Sequence, residues 1–329
     1  MHYSQVLEKI KNPKVLLLGD FVFDQYQFGV VERISPEAPV PVLKTVEEKF
    51  SPGGAGNVVL NLKAMGAEVV AMGRVGVDYE GESLLQILEA KGVDVSGVIK
   101  QPQYPTPTKT RYIAQSQQLL RVDREDNMAL PAQLQDLIFD QLDEQLDLCD
   151  IVALSDYDKG FFSPGMLLKI IKRATSFGKK VIVDPKGKDF SKYQGAFLIK
   201  PNEKEALLAS GGDQKNSLGE IGRNLYSITK SPNILITRSS KGMSLISGGS
   251  QINHFPIHSS EVVDVTGAGD TVLSMLVVAL ASGLALPMAI GLANLAAGES
   301  IKHIGCYAPS IADLKKTREE EEQRVETLR

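Results

Sequence analysis

The residues best equipped for chemistry lie at 264–272: Asp264-Val265-Thr266-Gly267-Ala268-Gly269-Asp270-Thr271-Val272, ahead of an uncharged apolar helix. Two glycines let the backbone turn so that several N–H groups point one way. A helix starting there adds its partial positive end, so the turn is built to hold an anion. Asp270 puts a carboxylate inside that site, where it repels phosphate unless it has a task. The fitting task is to take the proton of a hydroxyl as that hydroxyl attacks phosphorus. A glycine turn with an N-capping Asp is the plainer alternative. A second cluster, Ser51-Pro52-Gly53-Gly54-Ala55-Gly56-Asn57-Val58, also precedes a helix. Glycines there admit a ligand close to the backbone, and Asn57 both donates and accepts hydrogen bonds to hydroxyls. It is neither a Walker A loop, since no Gly-Lys-Ser/Thr follows, nor GxGxxG. A tight turn before a helix explains it equally well.

These clusters need a scaffold, and the chain supplies one by alternation. Lys14–Asp20 is a short apolar run ending in Gly-Asp, like a buried parallel strand. The pattern predicts helices at Ala55–Met65, Gly81–Lys91, Pro164–Ser176 and Leu218–Thr229. It predicts further strands at Glu68–Val75, Asp150–Ser155, Lys180–Asp184, Ala196–Lys200 and Asn233–Thr237. Such alternation implies an α/β fold with a mainly parallel sheet covered on both faces. Ligands bind beyond the strand C-termini of such sheets, where Asp20, Asp156, Asp184, Asn202 and Arg238 lie. Residues 21–52 and 103–123 lack helical periodicity and are rich in Val, Thr, Tyr and Gln. They read as antiparallel strands outside the main sheet, a small β lid over the substrate, or else as ordinary edge strands. One domain over 1–310 is expected, with 311–329 as a charged, solvated helix or tail.

Composition narrows the classes. The chain has 329 residues, 43% of them hydrophobic, enough to bury a sizeable core. A net charge of −4 gives no hint of a nucleic-acid partner. Cys149 and Cys306 lie far apart and in no metal-ligand spacing, which fits a reducing cytoplasm without disulfides or a zinc site. The polar stretch Met1 to Lys14 does not read as a signal peptide. No charged residue falls between Asp270 and Glu299, long enough to span a bilayer. Gly283 and Pro287 break that run into two halves of buried-helix length, so no membrane span is expected.

The Gly53-Gly54-Ala55-Gly56-Asn57 cluster and the Asp264–Asp270 turn, about 210 residues apart, resemble the two signature motifs of the ribokinase-like (PfkB) carbohydrate kinases. The resemblance runs from about residue 12 to 310. A narrower likeness is to the kinase module of bacterial heptose 7-phosphate kinases. It rests on Gly19-Asp20 with Asp24, Arg33-Ile34-Ser35-Pro36-Glu37-Ala38-Pro39-Val40-Pro41-Val42, Leu154-Ser155-Asp156-Tyr157, Asp184-Pro185-Lys186-Gly187 with Asp189-Phe190, and Thr237-Arg238-Ser239 with Gly242-Met243-Ser244-Leu245. The resemblance implies a three-layer α/β/α fold with a β lid. It implies ATP-dependent phosphorylation of O1 of D-glycero-β-D-manno-heptose 7-phosphate, giving the 1,7-bisphosphate used for ADP-heptose and the lipopolysaccharide inner core. In many bacteria that kinase is fused to an adenylyltransferase. No such segment follows here, so the stand-alone form is expected, with a separate adenylyltransferase downstream.

Roles follow from the same resemblance. The N–H groups of Gly267, Ala268 and Gly269 form the anion hole, and Asp270 takes the proton of the sugar O1 hydroxyl. Asn202 of Pro201-Asn202-Glu203-Lys204-Glu205 reaches the nucleotide phosphates, and Glu205 acts on Mg²⁺ through its waters. The same segment also reads as a capped helix start. Thr237, Ser239 and Gly242 line the nucleotide site. Asn294 faces adenine or ribose, or serves packing. Asp20, Asp24, Gly54 and Asn57 bind the sugar. Asp156 and Lys186 are further candidates, with a buried ion pair or helix cap as alternatives. Lys109, Arg111 and Arg121 in the lid suit the 7-phosphate, although exposed strand cations are commonly just solvated. Asp264 and Thr266, with the loop near Gly305, match the region where some members hold a monovalent cation such as K⁺. Lids of related kinases pair between subunits, so a homodimer is expected. A sibling sugar or nucleoside kinase, or a non-catalytic sugar-binding protein with the same fold, remain the alternatives.

Overall fold

One long strand serves two sheets. The computed structural model describes residues 3–115, 117–213, 215–257 and 262–327. Met1 and His2 of the N-terminal stretch, and Leu328 and Arg329 of the charged tail, lie outside the described residues. After helix α1 (Tyr3–Leu7), strand β1 (Lys14–Ile34) starts in the central sheet and leaves it at Asp20. It then pairs antiparallel with β2 (Pro41–Gly54), which leads straight into α2 (Ala55–Ala64). Next come β3 (Glu68–Gly76), α3 (Tyr79–Ala90), β4 (Asp94–Gln101), β5 (Thr108–Ala114) and β6 (Gln117–Arg124). Strand β5 joins the far half of β1, and β6 pairs antiparallel with β5. The segments expected as a lid thus form a separate four-stranded layer, β6-β5-β1-β2.

The remaining elements are α4 (Ala132–Leu148), β7 (Ile151–Ser155), α5 (Pro164–Ser176), β8 (Lys180–Asp184), β9 (Leu198–Ile199), α6 (Glu203–Ala209), α7 (Leu218–Thr229), β10 (Asn233–Thr237), β11 (Met243–Ser247), β12 (Gln251–Phe255), α8 (Ala268–Ala281), α9 (Leu286–Ser300) and α10 (Ile311–Thr327). The central sheet runs β12-β11-β10-β9-β8-β7-β1-β3-β4. It is parallel from β10 to β4, and the β10-β11-β12 edge is antiparallel. The strand predicted at Ala196–Lys200 shrinks to Leu198–Ile199. Pro201 follows without an N–H to donate, and pairing goes on only through its carbonyl, which accepts from Thr237 N at 3.0 Å, and an isolated bridge of Asn202 to Thr237.

Alternation along β1 fills both faces. Val15 and Leu17 join the core shared with α2, α8 and α9, while Leu16 and Leu18 join the core shared with α4, α5 and α7. This is a ribokinase-like α/β fold with three layers. The uncharged run is two helices: α8 stops before Gly283, whose φ is +82°, and α9 restarts with Pro287 in its first turn. Among the described residues no helix is long and apolar enough to cross a membrane.

Candidate active site

Two helix N-termini converge beyond the strand ends. Helix α8 is entered through Gly267, whose φ of +78° lies in the left-handed region that favours glycine. A methyl group there would sit 2.8 Å from Asn57 Nδ2 and 3.2 Å from Cys306 Sγ. Asp270, in the first turn of α8, is 7% exposed. Asn57 Nδ2, in the first turn of α2, donates to its Oδ2 at 2.6 Å, and the Tyr157 hydroxyl donates to its Oδ1 at 2.6 Å. The helices are pinned together by Thr271 Oγ1 donating to Asn61 Oδ1 at 2.9 Å and Ser274 Oγ donating to the Val58 carbonyl at 3.1 Å. Burial raises the Asp270 carboxyl above its usual range, opposed by the Tyr157 and Asn57 donors and by the Lys200 charge.

The residues expected to meet the nucleotide gather across that helix end. A cavity of about 530 Å³ is lined by Thr237, Gly242, Val265, Gly269, Asn294 and Ile301 among others, with Ser239 and Ala268 also on its wall. Gly242 has φ +76°, and a methyl there would sit 2.1 Å from the Phe255 carbonyl. Asn294 lines the cavity while its amide donates to the Pro256 carbonyl at 2.7 Å, so it also ties α9 to the end of β12. Asn202 and Glu205 form a capping box at α6: Asn202 Oδ1 accepts from Glu205 N at 2.9 Å, and Glu205 Oε2 accepts from Asn202 N at 3.0 Å. Lys186 Nζ pairs with Glu205 Oε1 at 2.7 Å.

The sequence placed Asp184 at a ligand-facing strand end but gave no role to Lys200. Lys200 is buried, 3.0 Å from Asp184 Oδ1, and 3.6 Å from where a methyl on Gly269 would lie. Burial lifts the Asp184 carboxyl to about 6 against the pull of Lys200. A lysine one residue before Pro201-Asn202, at a strand end, was the available signal. Among the described residues no group of three His, Cys, Asp or Glu side chains is placed to hold a metal ion. Asp264 serves its own loop. Oδ1 accepts from Thr266 N at 2.9 Å and Thr266 Oγ1 at 2.6 Å, and Oδ2 accepts from Gly305 N at 2.9 Å.

The residues expected to bind the sugar fall into different environments. Arg111 from β5 reaches Asp24 Oδ1 at 2.5 Å, and its guanidinium lies 5.1 Å from the Tyr26 ring centre. Gly53 leaves room for Asp24, whose Oδ2 would lie 2.1 Å from a methyl there, and Gly54 turns with φ +57° to start α2. Asp20 departs from its expected sugar-binding role. It is buried and accepts from the backbone N–H of Tyr157 at 2.9 Å, Lys159 at 3.3 Å and Phe161 at 3.2 Å. Burial and nearby Asp156 push it up to about 6 against those hydrogen bonds. Asp156 departs too: it is buried against Lys192 Nζ at 2.7 Å and the Tyr193 hydroxyl at 2.6 Å, the ion-pair alternative. Lys109 pairs with Asp123 at 3.0 Å and Glu125 at 3.6 Å, and Arg121 with Asp123 at 2.8 Å, so both cations are already neutralised within the lid layer.

This fold, with a carboxylate seated in a helix-end anion site beside a nucleotide-sized cavity, defines a sugar kinase that transfers a phosphoryl group to an alcohol. Residues 12–313 match the pfkB family carbohydrate kinases, and the chain belongs to that family, which uses ATP. It is 44% identical over 301 residues to the bifunctional protein HldE of Geobacter metallireducens, covering 91% of this chain and 61% of that protein. It is 44% identical over 311 residues to the bifunctional protein HldE of Chromohalobacter salexigens, covering 94% and 64%. The chain thus spans about three fifths of the length of these curated relatives. A putative ribokinase from Agrobacterium tumefaciens superposes with TM-score 0.75 at 20% identity, over 95% of this chain and 99% of that one. Phosphofructokinase-2 from Escherichia coli, in complex with potassium, gives 0.75 at 19%, over 94% and 99%. At such identities these likenesses establish the fold.

Proposed function

We propose that this kinase phosphorylates O1 of D-glycero-β-D-manno-heptose 7-phosphate with ATP, giving the 1,7-bisphosphate in ADP-heptose and lipopolysaccharide core synthesis. The observation that carries the kinase chemistry is the Asp270 carboxylate, tethered at 2.6 Å by two donors within the first turn of α8. In this reading Asp270 accepts the O1 proton while that oxygen attacks the γ-phosphorus, and the bond from the γ-phosphorus to the β,γ-bridging oxygen breaks to release ADP. The N–H groups of Gly267, Ala268 and Gly269 hold the phosphate chain, since phosphoryl transfer is governed by positioning and charge. Thr237, Ser239, Gly242 and Asn294 face the nucleotide, and Asn202 its phosphates. Magnesium, when bound, neutralises phosphate charge near Glu205. Asp24, Gly54 and Asn57 hold the sugar.

Heptose as the substrate is supported by the motif resemblance and by the similarity to the HldE proteins. Arg111 is the strongest of the three lid candidates for the 7-phosphate, because its pairing with Asp24 brings it to the sugar end of the site; Lys186, paired with Glu205, stays a substrate-binding candidate. We extend the reading to K⁺ beside Asp264 and Thr266, to the cytoplasm as its compartment, and to an adenylyltransferase acting next. We also extend it to a homodimer through the lid, which the exposed Val46, Phe50, Leu119, Leu120 and Val122 on that layer support. The test is a turnover panel of heptose 7-phosphate, ribose, fructose, fructose 6-phosphate and adenosine. The reading expects kcat/KM for heptose 7-phosphate to exceed every other member by at least about 100-fold, the scale of a built polar site against an ill-matched substrate. A higher value for any other sugar refutes the heptose assignment.

A further inference from the structure

Asp270 is held from two sides, and only one of them is a helix. Asn57 comes from α2. Tyr157 comes from the loop after β7, the strand that flanks β1 on the side away from β3. We propose that Tyr157 is the positioning residue of the catalytic carboxylate, its hydroxyl fixing Oδ1 of Asp270 so that the remaining lone pairs face the incoming sugar hydroxyl. The proposal rests on the reading of Asp270 as the base.

A carboxylate has about four acceptor positions on two oxygens. Asn57 takes one on Oδ2 and Tyr157 one on Oδ1. With each oxygen tethered from a different element, rotation of the carboxylate breaks at least one charge-assisted hydrogen bond. The free lone pairs therefore keep one direction before any substrate arrives. Precise aim matters, because misplacing a reacting group by an ångström costs a large rate factor.

The loop carrying Tyr157 is built to hold still. Both oxygens of Asp20 are spent on it, bonding the N–H groups of Tyr157, Lys159 and Phe161. Arg74, fully buried at the end of β3, donates from Nη2 to the Lys159 carbonyl at 2.8 Å and also to the Met128 carbonyl. Its guanidinium carbon lies 3.8 Å from the Tyr104 ring centre. Asp158 adopts φ +56° and Gly160 φ +82°. A non-glycine residue in that region persists only where its surroundings over-determine it. Asp156 contributes by accepting from Asp158 N at 2.8 Å. Two buried charged residues at adjacent strand ends, Asp20 and Arg74, thus brace one short loop whose outward product is the Tyr157 hydroxyl. That investment explains why Asp20 is absent from the sugar side.

Tyr157 remains a donor throughout the working pH range. Burial, with Asp270 and Asp184 nearby, drives its hydroxyl well above the ordinary tyrosine range. It cannot itself be the base. As a donor to the charged form it holds Asp270 ionised, opposing the burial that favours the neutral acid.

The experiment compares Tyr157→Phe, Asp270→Asn and wild type by steady-state kinetics from pH 5 to 9, with circular dichroism to verify folding. Tyr157→Phe keeps the ring and loses only the hydroxyl. Its kcat is expected to fall about 10-fold, the size of one hydrogen bond to a charged group. KM for sugar and nucleotide should stay within about twofold, and the acid limb of kcat/KM should move upward by about half a pH unit or more. A packing role alone would leave that limb in place. Unchanged kcat and acid limb in Tyr157→Phe, or a loss confined to KM, overturns the proposal. Asp270→Asn reads the underlying assignment separately: near-normal turnover there removes the base itself, whatever Tyr157→Phe does. Incorporating 3,5-difluorotyrosine at 157 serves as the second variant. It retains the shape and strengthens the donor, so the acid limb should move downward; an upward shift or none counts against the proposal.

Discussion

Replacing Gly267 by alanine tests the anion site with a single methyl group. Two costs follow from the geometry. The first is backbone: φ is +78°, where a side chain costs about 1–2 kcal/mol. The second is a collision, since the methyl would lie 2.8 Å from Asn57 Nδ2 and 3.2 Å from Cys306 Sγ. Asn57 has to retreat, and its 2.6 Å bond to Asp270 weakens or breaks; a hydrogen bond to a charged group contributes about 1.5–3 kcal/mol. The expected destabilisation is roughly 2.5–5 kcal/mol, or a melting temperature lower by about 4–7 °C in a chain this large. Turnover should fall about 100-fold, because both the anion hole and the carboxylate are displaced. Two glycines separate the costs. Gly178 has φ +71° with nothing within 4 Å, so Gly178→Ala measures the backbone cost alone. Gly165, in α5, has neither a positive φ nor a neighbour within 4 Å, so its alanine variant should be neutral or slightly stabilising. Thermal unfolding and coupled ADP release read all three. If Gly267→Ala behaves like Gly178→Ala in stability and keeps wild-type turnover, the collision and the anion-hole reasoning are wrong.

Asp270→Asn should cut kcat by about 10²–10⁴, a general-base-sized loss, without lowering the melting temperature. An amide can accept from Asn57 and donate to Tyr157, and the cost of burying a charge disappears. Arg111→Ala should raise KM for the phosphorylated sugar at least about 10-fold, as expected for a lost phosphate contact; an unchanged KM removes Arg111 from the 7-phosphate. Asp20 supplies a pH signature. Its carboxyl is lifted from 3.8 to about 6 in the folded chain, so the folded state binds the extra proton. Its contribution to stability is full below about pH 4 and is lost as pH rises through 6. Urea titrations should therefore show wild type gaining about 1 kcal/mol more than Asp20→Asn between pH 7.5 and pH 5, and equal gains in both would contradict the assignment.

What was legible in the chain is what short-range chemistry controls. The predicted bounds of α5 and α7 match the structure because their starts are written locally. Ser163 accepts from Met166 N, and Ser217 with Glu220 closes a capping box. Strands β8 and β10 were equally plain, being apolar runs between polar ends. Helix α4 went unread amid its Asp and Gln residues, although Ile138, Leu142 and Leu146 recur every fourth position. Of the antiparallel β11-β12 edge only Met243-Ser244-Leu245 entered a motif and β12 went unread, since Ser244 and His254, bonded at 2.9 Å, interrupt the apolar pattern. At the site, the glycine turns and Asp270 stood out because backbone demands restrict residue type. Tyr157 did not. Its meaning depends on a partner 113 residues away, and nothing local distinguishes that tyrosine from a packing one. Asp20 and Asp156 misled for the same reason: a carboxylate at a strand end looks alike whether it faces a sugar or a loop.

The two outcomes for those carboxylates fit a single electrostatic logic. A phosphoryl-transfer site tolerates few unpaired negative groups, because the nucleotide brings several of its own. Asp20 is absorbed by three backbone donors, Asp156 by Lys192 and Tyr193, Asp184 by Lys200, and Asp24 by Arg111. Asp270 differs in kind. Its two protein partners, Asn57 and Tyr157, are neutral donors. Neutral donors fix a carboxylate's direction without cancelling its charge, and so leave it basic enough to draw a proton from an alcohol. A lysine or arginine in either place would hold Asp270 more tightly and make it a weaker base. The same logic explains the positions of Lys200 and Arg111. Each lies near enough to moderate the local negative potential, yet each has its own carboxylate, so neither forms an ion pair with Asp270.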